Sequence, residues 1–233
     1  MLPTISIGTI HLSTYWTAMA LGAASMAVLM LYRRGRFGLT PVGALLFALV
    51  LLVCGLTGTK LLYLAENWRE TLEHGVSLGG QSFFGAVLLV PLLMPLAGRA
   101  FRLSHRSALD ACAPCVSAIL AFTRFGCFLN GCCGGIAASL GSLSFRWPTQ
   151  LMESLWDMCI VLFLLDREER GISSGSLYPL FLLLYCPARF LLEFLRDTPK
   201  DWLRLSHGQW FAAVSAVVGG LALYSLRKGV RAE

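Results

Sequence analysis

Charged side chains are scarce in this sequence. Only 14% of the 233 residues are charged, 56% are hydrophobic, and the mean hydropathy is +0.68. A soluble domain carries about 25% charged residues, so this composition excludes a water-exposed surface over most of the chain. The apolar runs leave almost no sequence for a second domain, and we expect a single integral membrane domain over residues 1–233.

Acidic residues are the scarcer of the two charge types, with 13 against 19 lysines and arginines and a formal net charge of +6. The basic residues form short clusters between apolar runs, which is typical of membrane topology. We therefore expect no nucleic-acid partner. The first 13 residues are neutral and lack a basic segment, which argues against a cleavable signal peptide.

Seven apolar segments predict an all-α, polytopic membrane protein with about seven transmembrane helices. Each segment is close to the roughly 20 residues that span a bilayer. Basic clusters follow alternate segments, and basic residues that flank spans favour the cytoplasm. We therefore expect the N-terminus outside and the C-terminus in the cytoplasm. The segments are residues 13–32, 41–64, 82–98, 107–129, 149–166, 174–195 and 208–226.

Charged residues also occur inside these predicted spans. Arg189, Glu193 and Arg196 follow one another at steps of four and three residues, so they share one stripe of the sixth predicted helix. A charge near the bilayer centre costs at least about 2.5–3.5 kcal/mol, and packing alone does not explain three of them. A guanidinium matches a phosphate bidentately, which favours a phospholipid ligand for Arg189. The alternatives are an internal ion-pair network and, for Arg196, extension of the side chain to the headgroups.

A second motif ends the fourth predicted span and reads Arg124-Phe-Gly-Cys-Phe-Leu-Asn130-Gly-Cys-Cys-Gly-Gly. Glycines allow backbone amides to converge on an anion, and the Asn130 amide can donate to an oxyanion. A tight turn of small residues is the alternative. Non-helical backbone at membrane depth is tolerated only when it is buried or lines a cavity. Both interpretations therefore predict a cavity beside Arg124.

Cys127, Cys132 and Cys133 lie in this turn and have several possible roles. Disulfides persist on the outer side of a bacterial membrane, and nearby arginines favour a reactive thiolate. A tetrahedral metal site needs a fourth ligand, for which His207 is the candidate by residue type. Small buried packing residues fit the pattern best, so no metal site is predicted.

Two further segments carry weaker signals. Gly79-Gly-Gln-Ser-Phe-Phe-Gly85 precedes the third span and is either a helix start or part of a site. Trp147-Pro-Thr-Gln-Leu-Met-Glu153 opens the fifth span, where proline is favourable in the first turn. Gln150 and Glu153 share one face of that helix, and Glu153 either lines a site or pairs with one of the arginines.

Taken in order, these motifs resemble the bacterial prolipoprotein diacylglyceryl transferases. The resemblance extends from Gly79 to Gln209, and the seven-span layout with an external N-terminus agrees with it. The matching residues are Gly79, Gly80, Gly85, Asp110, Ala113, Pro114, Arg124, Gly126, Asn130, Pro148, Gln150, Glu153, Arg189, Glu193, Arg196, Gly208 and Gln209.

The resemblance implies an enzyme that moves the diacylglyceryl group of phosphatidylglycerol onto the lipobox cysteine thiol of a prolipoprotein signal peptide, with release of glycerol phosphate. It implies a multi-pass protein of the bacterial inner membrane, a site toward the outer face, and no cofactor. The catalytic residues would be Arg124, Arg189, Glu193 and Glu153, with the two arginines holding the lipid phosphate. The residues implied to bind substrate are Gly80, Ser82, Gly126, Cys127, Asn130, Gly131, Gln150, Arg196 and Gln209.

The chain also departs from the family pattern. The family usually has histidine where this chain has Phe84, and that histidine is proposed to help deprotonate the incoming thiol. The other departures are Ala86 for glycine, Cys127 for asparagine, Trp147 for histidine and Met152 for tyrosine. The catalytic base and the acceptor therefore stay open. The alternatives are a divergent paralogue with another acceptor and a non-catalytic protein that binds or transports phospholipid.

Overall fold

The structure is a computed structural model that describes residues 4–7, 10–75, 82, 84–140, 143–200 and 203–232. Long helices dominate it, and two short antiparallel hairpins accompany them. The hairpins pair β1 (Thr4–Ile7) with β2 (Ile10–Ser13) and β3 (Ala137–Leu140) with β4 (Leu143–Arg146). The helices are α1 (Thr14–Arg33), α2 (Pro41–Glu66), α3 (Trp68–His74), α4 (Phe84–Gly98), α5 (His105–Asn130), α6 (Thr149–Glu169), α7 (Leu177–Leu192) and α8 (His207–Ala232).

Six helices of the described residues are long and apolar enough to cross a membrane, which confirms a polytopic α-helical membrane protein. They are α1, α2, α4, α5, α7 and α8. Helix α6 coincides with the predicted fifth span, but Glu153, Asp157 and Asp166 interrupt its apolar sequence, and it is not one of the six. A seventh crossing and the orientation of the termini stay predictions.

The end of α7 differs from the sequence prediction. The helix stops at Leu192, the next three residues form a 3₁₀ turn, and Arg196 has the extended backbone angles φ −93° and ψ 149°. The prediction of one continuous α-helical stripe through Arg196 is therefore wrong at its last member. The two hairpins and α3 were also not predicted, because four-residue strands are too short to show alternation.

Residues Met30–Cys112 form one compact unit. Helix α2 packs against α4 at Gly58 and Gly85, where a Cβ on Gly58 would lie 2.5 Å from the Gly85 carbonyl oxygen. Buried Arg33 donates to the carbonyl oxygens of Asp110 and Ala111, both at 2.8 Å. Pro114 explains part of this contact, because proline has no amide hydrogen to donate to the Asp110 carbonyl within α5.

Residues Met1–Leu29 together with Ala113–Glu233 form the other unit. Within it, α7 packs against both α6 and α8. Hydroxyl groups connect α5 to α6, because Ser117 donates to the Asp157 carbonyl and Ser154 to the Ala121 carbonyl, each at 2.8 Å. Helix α1 lies against α5 so closely that a Cβ on Gly126 would be 2.8 Å from a side-chain atom of α1. The candidate site lies inside this unit.

Candidate active site

Glu153 is the centre of a buried group of ion pairs. Its Oε2 atom lies 2.5 Å from Arg124 Nε. Its Oε1 atom lies 3.2 Å from a terminal nitrogen of Arg196 and 3.6 Å from one of Arg189. One carboxylate on α6 thus contacts guanidiniums from α5, from α7 and from the segment after α7. The sequence alternative in which Glu153 pairs with an arginine is correct, and it involves three of them.

Glu193 is the second carboxylate of the group. It forms an ion pair with Arg189, one helical turn earlier, and its Oε2 atom lies 3.4 Å from Arg196 Nε. Its other oxygen accepts hydrogen bonds from the hydroxyls of Thr198 and Ser206, each at 2.9 Å. Both oxygens of Glu193 are therefore occupied, and the carboxylate fixes two of the three arginines.

The five ion-paired residues carry an excess of positive charge. All five are buried, and three guanidiniums face two carboxylates, which leaves a formal charge of +1. Asp157 lies one turn beyond Glu153 and takes part in none of the ion pairs found among the described residues. Its carboxyl nevertheless interacts electrostatically with Arg124 and Arg189. Three guanidiniums within one buried group favour an anionic ligand.

Backbone contacts hold Arg196 in place outside any helix. Residues Gly135 and Arg196 form an antiparallel bridge, and the Gly135 amide donates to the Trp147 carbonyl at 2.9 Å. A Cβ on Gly135 would lie 2.6 Å from the Leu195 carbonyl oxygen and 2.7 Å from Trp147. Only glycine fits between the chain at Leu195 and the chain at Trp147. The glycine-rich turn thus positions an arginine by close backbone approach.

The turn after α5 is a Schellman motif, in which the chain folds back over the last helical turn. The amide of Gly131 donates to Phe128 O and the amide of Cys132 to Cys127 O, both at 3.2 Å. Gly131 has the left-handed φ of 77° that this motif requires. The Gln150 side chain donates to the Cys132 carbonyl at 2.6 Å, which fixes the turn to the start of α6.

The three predicted cysteines of this turn have free thiols, and their sulfur atoms are brought together. Cys127 is buried, Cys132 is half-buried and Cys133 is exposed. A hydrogen bond with Cys127, aided by the charges of Arg124 and Arg196, holds the pKa of the Cys133 thiol below its usual range. Asn130 is the last residue of α5 and is half-buried, so it lies beside this turn as predicted.

Two hydroxyl residues that contact Glu193, Thr198 and Ser206, were not predicted from the sequence. Ser206 and Gln209 form a capping box at the start of α8, in which the Ser206 amide donates to Gln209 Oε1 at 2.9 Å and the Gln209 amide to Ser206 Oγ at 3.2 Å. The cap aims the Ser206 hydroxyl at Glu193. The pattern Ser-x-x-Gln before an apolar run was the signal that could have revealed Ser206, whereas nothing in the sequence marked Thr198.

Some predicted site residues have other surroundings. Gly80 lies outside the described residues, and the Ser82 amide donates to the Thr59 carbonyl at 3.0 Å. Gly85, at the end of the same glycine segment, serves the close contact between α2 and α4. Gly126 provides the close approach of α5 to α1, and Gln209 caps α8. These contacts explain the residue types by packing and capping.

Comparison with known proteins agrees with the family resemblance found in the sequence. The family model for prolipoprotein diacylglyceryl transferase matches residues 3–225. A Clostridium perfringens protein named phosphatidylglycerol–prolipoprotein diacylglyceryl transferase 2 is 25% identical over 92% of this chain and 91% of its own length. Proteins named as the same transferase from Dehalococcoides mccartyi and Idiomarina loihiensis are 26% and 33% identical, over 96% and 64% of this chain and 93% and 61% of their own lengths. The chain therefore belongs to the prolipoprotein diacylglyceryl transferase family.

Proposed function

We propose that this membrane protein transfers the diacylglyceryl group of phosphatidylglycerol to the lipobox cysteine thiol of a prolipoprotein. The observation that supports this most strongly is the buried set of Arg124, Arg189 and Arg196 around Glu153. Phosphatidylglycerol carries a phosphodiester with one negative charge, and a guanidinium can bind such a phosphate through two hydrogen bonds. The names of the relatives describe the same reaction for those proteins.

The proposed chemistry places the arginines at the leaving group. The acceptor sulfur attacks the glyceryl carbon next to the phosphate, the carbon–sulfur bond forms, and the carbon–oxygen bond to the phosphate breaks. The thiol proton is released to water, and glycerol phosphate leaves with an additional negative charge. Arg124 and Arg189 stabilise that charge, and a single donor of this kind contributes about 2.7–4 kcal/mol to a transition state. Glu153 and Glu193 position the guanidiniums.

The remaining site residues have supporting roles in this proposal. Arg196 extends the cation group toward the turn after α5, and Asn130, Gly131 and Gln150 shape the side of the site next to that turn. Gln209 acts on Glu193 through its cap with Ser206. The site faces the outer leaflet of a bacterial cytoplasmic membrane, where phosphatidylglycerol and a translocated signal peptide are both available. Gly80, Ser82, Gly126 and Cys127 stay predicted substrate contacts.

The acceptor is the less constrained half of the proposal, because Phe84 stands where the family usually has a histidine. Phe84 is buried and apolar and supplies no group that accepts a proton. A divergent paralogue with a different acceptor is therefore the second candidate. A phospholipid-binding protein without chemistry is the third candidate, and it accounts equally well for the arginines.

One reconstitution separates these three functions. The purified protein is placed in vesicles with labelled phosphatidylglycerol and a lipobox peptide, and a peptide with serine in place of the cysteine is the control. We expect a thioether-linked diacylglyceryl group on the first peptide, detected by mass spectrometry, and an equal amount of glycerol phosphate. Release of glycerol phosphate without modified peptide would support another acceptor. Bound lipid without release in the presence of the peptide would contradict transferase activity.

A further inference from the structure

Three cysteine sulfurs meet at the end of α5. The thiols of Cys127, Cys132 and Cys133 are free, and their sulfur atoms all lie within 4.8 Å of one another. Within the part of the chain that the structure describes, this is the one group of three or more histidine, cysteine or acidic residues close enough to share a metal ion. The ion-paired residues of the candidate active site do not include these sulfurs.

The backbone builds this cluster. The Schellman motif returns the chain so that Cys132 lies directly over Cys127, with its thiol 3.8 Å from the Cys127 carbonyl. The next residue, Cys133, has a positive φ of 60°, which is uncommon for a residue with a side chain. The Gln150 side chain holds the Cys132 carbonyl from α6. The three sulfurs are therefore brought together by a fixed turn and not by flexible side chains alone.

The spacing of the sulfurs fits one thiophilic metal ion. Sulfur ligands about 2.3 Å from an ion are about 3.8–4.0 Å from one another in tetrahedral or trigonal geometry. The observed limit of 4.8 Å requires each pair to move by no more than about 1 Å. Thiolates select Cu⁺ and Zn²⁺ over hard cations. A trigonal Cu⁺ site needs no fourth ligand, and Zn²⁺ can add a water molecule.

The charge and the access of the site also favour a metal ion. Arg124 precedes Cys127 by one helical turn, and its guanidinium interacts electrostatically with Cys127 and Cys133. Three thiolates with Cu⁺ carry a formal charge of −2, and with Zn²⁺ a charge of −1, so the adjacent cation offsets part of it. Cys133 is exposed, which gives an ion a route to the buried Cys127. A disulfide would use two of the sulfurs and leave the third without a role.

We propose that Cys127, Cys132 and Cys133 bind a single thiophilic metal ion, Cu⁺ or Zn²⁺, at the outer end of α5. Binding replaces the thiol protons with metal–sulfur bonds and involves no oxidation of the protein. The ion would fix the turn that carries Gly135, and this turn positions Arg196. The proposal does not depend on the transfer reaction, because its evidence is the geometry of the sulfurs.

Metal binding to the full chain tests this proposal. The protein is purified in detergent with a non-thiol reductant, treated with a chelator, and titrated separately with Zn²⁺ and with Cu⁺ kept reduced. Metal content is measured by mass spectrometry, and X-ray absorption identifies the atoms bound to the ion. We expect one ion per chain, in at least one of the two titrations, with three sulfur neighbours.

Single substitutions show which thiols are involved. We expect Cys132→Ser and Cys133→Ser each to weaken binding at least about 100-fold, since even the loss of an outer-shell partner costs about 10–100-fold in metal affinity. The matched control is Cys159→Ser, which removes an exposed thiol on α6 and should bind as the unsubstituted protein does. Thermal unfolding of the metal-free variants establishes that they are folded.

Several results would overturn the proposal. The first is the absence of stoichiometric binding of either ion by the unsubstituted protein. The second is a metal affinity of Cys132→Ser and Cys133→Ser equal to that of the unsubstituted protein. The third is an X-ray absorption spectrum without sulfur neighbours. X-ray absorption on the unsubstituted protein decides the question even where a variant does not fold. A disulfide in protein isolated without reductant, followed by no metal uptake after reduction, would assign the cluster to a redox role instead.

Discussion

Glu153→Gln is the substitution whose effect the structure constrains best. The change preserves the size of the side chain but removes the one negative charge that contacts Arg124, Arg189 and Arg196. The formal charge of the group rises from +1 to +2, with Glu193 as the single remaining carboxylate. Breaking a buried pair by removing one partner costs about 3–5 kcal/mol. Glu153 contacts three arginines, and we therefore expect the free energy of unfolding to fall by about 3–5 kcal/mol.

The control for this substitution is Asp166→Asn on the same helix. Asp166 pairs with Arg170 one turn away, and their side chains are 43% and 71% exposed. An exposed pair of this kind contributes about 0–1 kcal/mol. Since each kcal/mol shifts the midpoint by about 2–4 °C in a chain of this length, Glu153→Gln should unfold about 6–20 °C lower than the unsubstituted protein, and Asp166→Asn within about 4 °C of it.

The assay is thermal unfolding in detergent, first without and then with phosphatidylglycerol. The lipid should raise the midpoint of Glu153→Gln by more than it raises that of the unsubstituted protein, because the variant has the larger uncompensated positive charge. A neutral lipid such as diacylglycerol should not produce this difference. If Glu153→Gln unfolds at the same temperature as Asp166→Asn, the ion pairs do not stabilise the fold and the charge argument is wrong.

Three further substitutions test the backbone contacts. Gly135→Ala should lower transfer activity about 100-fold, since a displacement near 1 Å at a site can have that effect, whereas Gly134→Ala meets only an ordinary contact at 3.6 Å and should stay active. Gly58→Ala should lower the free energy of unfolding by about 1–3 kcal/mol through steric overlap. Its control, Gly55→Ala, has its nearest neighbour at 3.9 Å and should raise stability by up to about 1 kcal/mol. Arg33→Lys should lower the free energy of unfolding by about 1.5–3 kcal/mol, because lysine lacks the forked guanidinium that reaches two carbonyls at once. Unchanged unfolding midpoints in Gly58→Ala or Arg33→Lys would contradict the contacts described for these residues.

The sequence predicted the spans and part of the site because those features are local. Apolar runs of about 20 residues located the long helices. The spacing of Arg189 and Glu193 indicated that they share a helix face, and the ion pair that they form was one of the alternatives left open. Arg124 and Glu153 lie on different helices and far apart in the sequence, and helical periodicity carries no information on such pairs. Family resemblance selected both residues, and the structure provides their distance.

The errors have equally specific causes. Arg196 was placed on a continuous helical stripe, but the chain leaves the α-helix at Glu193, and a pattern of residue types does not reveal a 3₁₀ turn. The segment that ends at Gly85 was expected to be either a helix start or part of a site; α4 begins at Phe84, and the missing side chain of Gly85 serves the contact with Gly58. Glycine is required both by anion sites and by close helix packing, so its presence alone does not distinguish them.

In the proposed reaction, buried arginines stabilise the phosphate of phosphatidylglycerol as it leaves. Release of labelled glycerol phosphate in vesicles that also contain the lipobox peptide measures this directly, with Arg189→Lys as the test. Its control is Arg170→Lys, which changes an exposed arginine that also pairs with an acidic residue four positions away. We predict that Arg189→Lys lowers the rate about 100–1,000-fold, the effect of removing one such donor, while Arg170→Lys leaves it unchanged. Equal rates in the two variants would contradict the claim.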